Sequence, residues 1–295
     1  MKQKLFTRNF IFLIAGQISS LIGNNTLKFA LSMYVLERTG SASVFAGLLA
    51  LSMIPTILLS PFGGILADRA NRRNIMVALD TLSGLSVLIA GFATASGQDI
   101  PVIGTLLVVL SVLGAFESPT VQACIPQMLS GENIIKGNAV VNQVASIASL
   151  VTPFLGSVFY TALGIRPVFY AAVVCFIVTA LFECFIRLDY KKPARATGIF
   201  TVIREDFAVS IHFLHREQPG ILKLLLLAAA VSLFVAGTAV VGFPYLVRTV
   251  LGLSAAHYGA AESAMGVASI LGSLCVVALA KKMRPRHLVI VLVFF

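Results

Sequence analysis

Charge is scarce in this 295-residue chain: Asp, Glu, Lys and Arg make up 12% of it, against 58% apolar residues and a mean hydropathy of +0.95. That balance excludes a water-soluble globule. Gly and Pro occur without a period, and apolar runs long enough to span a bilayer recur along the whole chain, so collagen-like and disordered readings fall as well.

Cysteine is sparse too. Cys124, Cys175, Cys184 and Cys275 all lie within apolar runs and form no C-x-x-C pair, which reads as packing rather than disulfides or zinc. No G-x-x-x-x-G-K-[ST] loop is present, so the chain does not itself use a nucleotide, and no H-E-x-x-H or G-x-S-x-G sequence marks a hydrolase. His212 and His215 have no third ligand near them in sequence. No enzymatic centre, metal or cofactor is expected.

Basic residues outnumber acidic ones by 22 to 12. They sit in short gaps between apolar runs and are not interleaved with aromatics on a polar face, so the excess indicates membrane orientation and no nucleic-acid partner. The expected class is an all-α, polytopic protein of the lipid bilayer.

At about 20 residues per crossing, the expected spans are Phe10 to Leu36, Val44 to Ala67, Ile75 to Ser96, Val102 to Pro126, Ala139 to Thr161, Pro167 to Ile186, Ile221 to Val247 and Tyr258 to Ala280, with a ninth starting at Leu288. The basic Met1 to Asn9 segment precedes an apolar run with no A-x-A-like site, which makes that run a retained first span. A cytoplasmic N-terminus puts eighteen Lys and Arg inside and only Arg38, Arg166 and Arg248 outside, with Lys28 in the membrane. Residues 1–187 then form a six-helix half, 188–220 a cytoplasmic linker with helical spacing from Phe200 to Leu214, and 221–295 an incomplete second half.

A shift of 212 residues aligns Gly47 with Gly259, and the loop Asp68 to Arg73 with Ala280 to Pro285, a weak internal repeat. The stretch Gly64-Ile65-Leu66-Ala67-Asp68-Arg69-Ala70-Asn71-Arg72-Arg73 resembles the G-x-L-x-D-R-x-G-R-R loop of the major facilitator superfamily, in its macrolide-efflux-like and siderophore-export-like branch. Phe116-Glu117-Ser118-Pro119, Gly137-Asn138 and Thr152-Pro153-Phe154-Leu155-Gly156-Ser157 extend the resemblance across the chain. It implies a major-facilitator-type helical bundle in the plasma membrane, a small-molecule substrate, and exchange for protons. Two departures stand out. Asn71 replaces a glycine, and as the residue that best tolerates left-handed backbone after Gly it is expected to preserve the turn. Thr152 and Ser157 replace glycines of the antiporter-associated pattern around Pro153 and Gly156.

Within the loop, Arg69, Arg72 and Arg73 serve either as bridges that hold one face of the bundle closed, with Asp68 at the end of the second span, or as plain orientation charges. Ionisable groups inside the spans need a partner, a wet cavity or a role. Gln17, Ser20, Asn24 and Lys28 share one face of the first span and are expected to line a water-filled cavity, the alternative being a polar seam between helices. Lys28 either meets an anionic substrate group or snorkels outward. Asp80 and Glu117 lie at similar depth, and each either handles a proton or bridges to Arg69 or Arg72; the bridge is the favoured reading for Asp80, and proton or substrate handling for Glu117, next to the helix-distorting Pro119. Glu183 is spaced to pair with Arg187, and Glu262 is expected to stay wet near an outer helix end.

A twelve-helix bundle needs about another hundred residues at this span length. Two readings therefore stand: a proton-coupled exporter of small amphiphilic molecules by alternating access, and a truncated, transport-inactive form of one.

Overall fold

The computed structural model describes residues 5–94, 99–188, 209 and 211–280. Residues 200–208 of the linker, the loop after Ala280 and the ninth span from Leu288 lie outside the described residues. Among the described residues eight long helices follow one another: α1 (Arg8–Thr39), α2 (Ala42–Arg69), α3 (Arg72–Ala93), α4 (Asp99–Met128), α5 (Glu132–Leu163), α6 (Ile165–Cys184), α7 (Pro219–Val250) and α8 (Ala255–Ala280). No strand occurs among the described residues. The helices α1 to α7 are each long and apolar enough to cross a membrane.

Helix ends follow local chemistry. Thr7 caps α1, its hydroxyl accepting from the Phe10 N–H at 3.3 Å. Gly40 then stops the helix with φ of 59°, its N–H donating to the Leu36 carbonyl, and Ser41 immediately caps α2. α7 is irregular: an α-helical Pro219–Ala236 is followed by π-helical turns at Gly237–Gly242 and Leu246–Val250, around a short Phe243–Tyr245 turn. Such widened turns are common where a helix lines a functional space.

The end of the bundle that carries Arg8, Arg69, Arg72, Arg73 and Lys136 is called here the basic end, and the opposite one the far end. Within the first six helices the closest partners are α2 with α4, α6 with both α1 and α3, and α1 with α5. Two apolar layers result. Leu27, Leu31, Val87, Ile103, Phe169 and Phe176 fill the far half, and Phe10, Leu13, Met76, Ile125 and Ile186 fill the basic end. Between them lies a polar layer that includes Ser20, Asp80 and Glu183. Large apolar side chains such as Ile57, Leu58, Phe92 and Leu226 are exposed, as a surface facing lipid requires.

The last two helices join the others unevenly. α8 packs on α5, where a methyl on Gly259 would lie 2.5 Å from the Ser157 hydroxyl oxygen and 2.8 Å from the Pro153 carbonyl. At the far end, Phe29, Met33, Val247, Ala255 and Tyr258 form a small shared core, with Phe29 stacked on Tyr258 at 5.4 Å. At the basic end, by contrast, Pro219–Ala236 is not among the helices packed closely on α1 to α6, and every residue from Leu224 to Val235 is exposed. The internal repeat does not extend to packing: Gly47 has open space around it where Gly259 is tightly held.

Candidate transport site

α1 carries polar residues at helical spacing, but the structure divides them by depth. Gln17 and Ser20 are buried in the bundle, Asn24 is half-buried, and of the four only Lys28 is open to a cavity. The single wet stripe expected from the spacing is thus two sites. Helices α3, α4 and α6 close over the lower part of α1, whereas its upper part faces α7 and α8.

The cavity has a volume of about 380 Å³ and lies between α1, α2, α5, α7 and α8. Lys28 and Asn25 supply polarity from α1, Thr152 and Pro153 from α5, and Glu262 from α8, among Phe29, Met33, Phe45, Phe243 and Tyr258. Glu262 therefore lies on the cavity wall rather than in bulk water: it bonds Tyr258 one turn earlier and leaves its Oε2 without a partner. A second cavity of about 430 Å³, between α1, α2 and α4, shares Lys28, Ser32 and Leu49 with the first. One cation and one carboxylate among aromatic rings suit an amphiphile with polar groups.

The lower site centres on Ser20. Its hydroxyl lies 3.2 Å from Asp80 Oδ1 and 3.3 Å from Glu117 Oε1, joining α1 to α3 and α4. The bridge expected from Asp80 to Arg69 or Arg72 is replaced by this contact: Asp80 is fully buried, and its Oδ2 has no hydrogen-bond partner. Glu117 feels the positive charge of Lys28 without forming an ion pair with it. Glu183 does not pair with Arg187. It is 1% exposed, with both carboxylate oxygens unpartnered, while the Arg187 backbone is held by the Asn9 side chain.

The loop between α2 and α3 ties helix ends together. Arg72 Nε donates to the Ala67 carbonyl at 2.7 Å, and Arg73 Nη2 to the Cys184 carbonyl at the end of α6 at 2.6 Å. The second contact is that of a cation at a helix C-terminus. Arg69 lies at the end of α2, as does Asp68, whose side chain is outside the described residues. Asn71 does not take the left-handed backbone expected of a glycine substitute: its φ is −71°, and α3 starts from an ordinary extended residue. Gly64 is also not the glycine that packing needs. A methyl there would meet nothing within 4 Å, whereas on Gly63 it would lie 2.4 Å from the Ala115 carbonyl oxygen and 3.2 Å from Pro119. Pro119 has no N–H to offer that carbonyl, so the oxygen is free to face α2. In α5, Gly156 admits Phe29 of α1, and Ser157 is met by Gly259 of α8, so bulk added on one helix is removed from the other.

Sequence reasoning passed over the far end. Glu37 of α1 accepts from the Tyr160 hydroxyl of α5 at 2.6 Å and from Arg248 Nη2 of α7 at 3.2 Å, while Arg248 Nη1 donates to the Leu253 carbonyl. Beside it, Asp99 accepts from the Tyr34 hydroxyl and from Arg38. The available signal was that Arg38 and Arg248 are two of the three basic residues at this end, with Glu37 and Asp99 at neighbouring helix ends.

Two cavities thus meet at Lys28, one walled by helices from both parts of the chain and the other by α1, α2 and α4 alone. The sequence profile described as Major Facilitator Superfamily matches residues 13–295. The chain belongs to that superfamily. It is 25% identical over 225 residues to macrolide efflux protein A of Streptococcus pyogenes, covering 74% of this chain and 53% of that protein. It is 25% identical over 304 residues to the MFS-type transporter YkuC of Bacillus subtilis, covering 99% and 69% respectively. The chain thus spans about half the length of the macrolide efflux protein it matches. Among solved structures, a bacterial homologue of the human lysosomal transporter Spinster, inward-facing and unoccupied, superposes with a TM-score of 0.66 at 16% identity over 95% of this chain and 64% of that one. The fold is therefore a polytopic helical bundle of the superfamily, and the family points to transport rather than catalysis.

Proposed function

We propose that this chain forms part of a secondary active transporter that exports small amphiphilic molecules in exchange for protons, in the plasma membrane with the basic end cytoplasmic. The observation that carries the reading is the cavity at Lys28 and Glu262, tied shut at the far end by Glu37, Tyr160 and Arg248 while α7 stands apart from α1 to α6 at the basic end. A site reachable from one side at a time is the requirement for alternating access. The excess of Lys and Arg at the basic end supports its cytoplasmic placement. Residues 1–187 act as a six-helix half, 188–220 as the linker, and 221–295 as the portion of the second half present here.

Lys28, with Asn24 and Gln17 below it, sets the polar path along α1. Glu117 exchanges the proton, Asp80 shares its Ser20 contact, and Arg72 and Arg73, with Gly64, Asp68 and Arg69, brace the helix ends that move. Pro153 forms part of the α5 surface on which α8 moves, and Gly156 seats Phe29 of α1 beside it. Relatives named for macrolide efflux support export, and the substrate is amphiphilic on the evidence of the cavity's lining.

The test is uptake of a compound panel into proteoliposomes driven by a pH gradient, with Glu117→Gln as the control. Gradient-driven flux that Glu117→Gln abolishes is the expected result; flux unaffected by the gradient in both forms refutes proton exchange. If the inserted protein moves no compound under any gradient, the transport reading fails.

A further inference from the structure

Glu183 takes no part in the transport reading above, yet it is among the most deeply buried charges among the described residues. It lies near the last residue of α6, and side chains in a helix lean toward its N-terminus, so the carboxyl rises into the bundle. It passes Gly16 of α1, where a methyl would lie 3.7 Å from Glu183 Cγ, and reaches Asp80 of α3 within hydrogen-bonding range. Both oxygens of Glu183 and Oδ2 of Asp80 are nonetheless without partners. A proton shared by the two groups accounts for both observations. Ionised carboxylates are acceptors alone, so two of them facing each other make no hydrogen bond, and two like charges stripped of water repel. A single proton between them joins one oxygen of Glu183 to Oδ2 of Asp80 and removes one charge.

We infer that Asp80 and Glu183 form a carboxylic acid–carboxylate pair that stores one proton between α3 and α6, and that Ser20 connects it to Glu117. For transfer, an O–H bond of the pair breaks toward Ser20 Oγ, the Ser20 hydroxyl gives its own proton to Glu117 Oε1, and the hydroxyl is restored. One proton moves and no electrons are exchanged. Other charged or titratable groups act electrostatically on this path: Lys28 of α1 on Glu117, Cys124 of α4 and Cys184 of α6 on Glu183, and Arg72 of α3 on Cys124. Arg73 holds the end of α6 below them. The transfer step rests on the proton-exchange reading; the stored proton does not.

The test is infrared difference spectroscopy of the full chain in lipid nanodiscs between neutral and alkaline pH, in water and deuterium oxide. The unmodified protein is expected to show a protonated-carboxyl band that shifts on deuteration. Glu183→Gln and Asp80→Asn should each lose it, because an amide donates the hydrogen bond the proton had supplied, while Glu117→Gln keeps it. Carbon-13 labelling of aspartate and glutamate in the unmodified protein should move the same band, which covers the case of a variant that fails to fold. No band at neutral pH, a band that neither label moves, or one that survives both substitutions overturns the pair. A band abolished by sodium but not by choline assigns the site to a bound cation and overturns it equally. If the band behaves as expected while no pH gradient drives flux, the pair stands and the exchange reading fails.

Discussion

Two adjacent glycines give a sharp prediction about how this bundle is held together. Adding a methyl at Gly63 places it 2.4 Å from the Ala115 carbonyl oxygen and 3.1 Å from the Phe116 Cα, both backbone atoms that cannot rotate away. A carbon–oxygen contact normally sits at about 3.3 Å or more, so α2 and α4 must separate by about 1 Å. Overpacking of this kind costs about 1–3 kcal/mol, partly offset by the helix preference of Ala over Gly, up to about 1 kcal/mol. Gly63→Ala is therefore expected to be destabilising by about 1–2 kcal/mol. Gly64→Ala meets nothing within 4 Å and should be neutral or slightly stabilising. Thermal unfolding in detergent can be followed with a thiol-reactive dye, because Cys124 is buried and Cys175 half-buried until the bundle opens. The Gly63→Ala midpoint should fall by a few degrees while that of Gly64→Ala holds. Equal midpoints for the two variants, or a loss confined to Gly64→Ala, would refute the account of α2–α4 packing.

Other outcomes follow from the helix-end contacts. Glu37→Gln removes the charge opposite Arg248; with Glu37 half-exposed, the pair contributes about 0.2–1 kcal/mol, so the joined far end should lose up to about fivefold in population. Spin-label distances between Ser41 and Leu251 should then broaden toward longer values, and an unchanged distribution would count against a latch at this end. Arg73→Ala removes the donor on the Cys184 carbonyl, so α6 should fray at its end and Cys184 should react faster with a thiol reagent; an unchanged rate would make the contact inconsequential.

The spans were legible because burial in lipid demands long apolar runs, and each of the eight expected spans falls on a helix. The structure adds two to seven residues at several ends, as where α5 starts at Glu132 rather than Ala139, because capping turns project beyond the hydrocarbon. α3 is instead displaced by three residues, running Arg72–Ala93 against the expected Ile75 to Ser96. The polar layer was half legible. Spacing along α1 put Gln17, Ser20, Asn24 and Lys28 on one face, but which helix covers each depends on tertiary packing that periodicity does not encode. Glu183 was misassigned for the same reason: its Arg187 spacing suggests a local pair, whereas the tilt of α6 side chains directs it to Asp80. Asn71 shows that a motif position can be filled without its usual backbone geometry, because the turn closes through Arg72 and the Ala67 carbonyl. The Glu37–Arg248 contact joins residues 211 positions apart, and no local pattern carries it.

The most direct test of alternating access is chemical access to the cavity from each side. Asn25 lines that cavity; it is replaced by cysteine in a chain freed of its four native cysteines, and an impermeant thiol reagent is applied to oriented vesicles from one face at a time. Labelling is expected from the cytoplasmic face in the resting protein, and from the outer face only when Glu37→Gln releases the far end. Labelling from neither face, or from both at once in the same state, would contradict a carrier that opens to one side at a time.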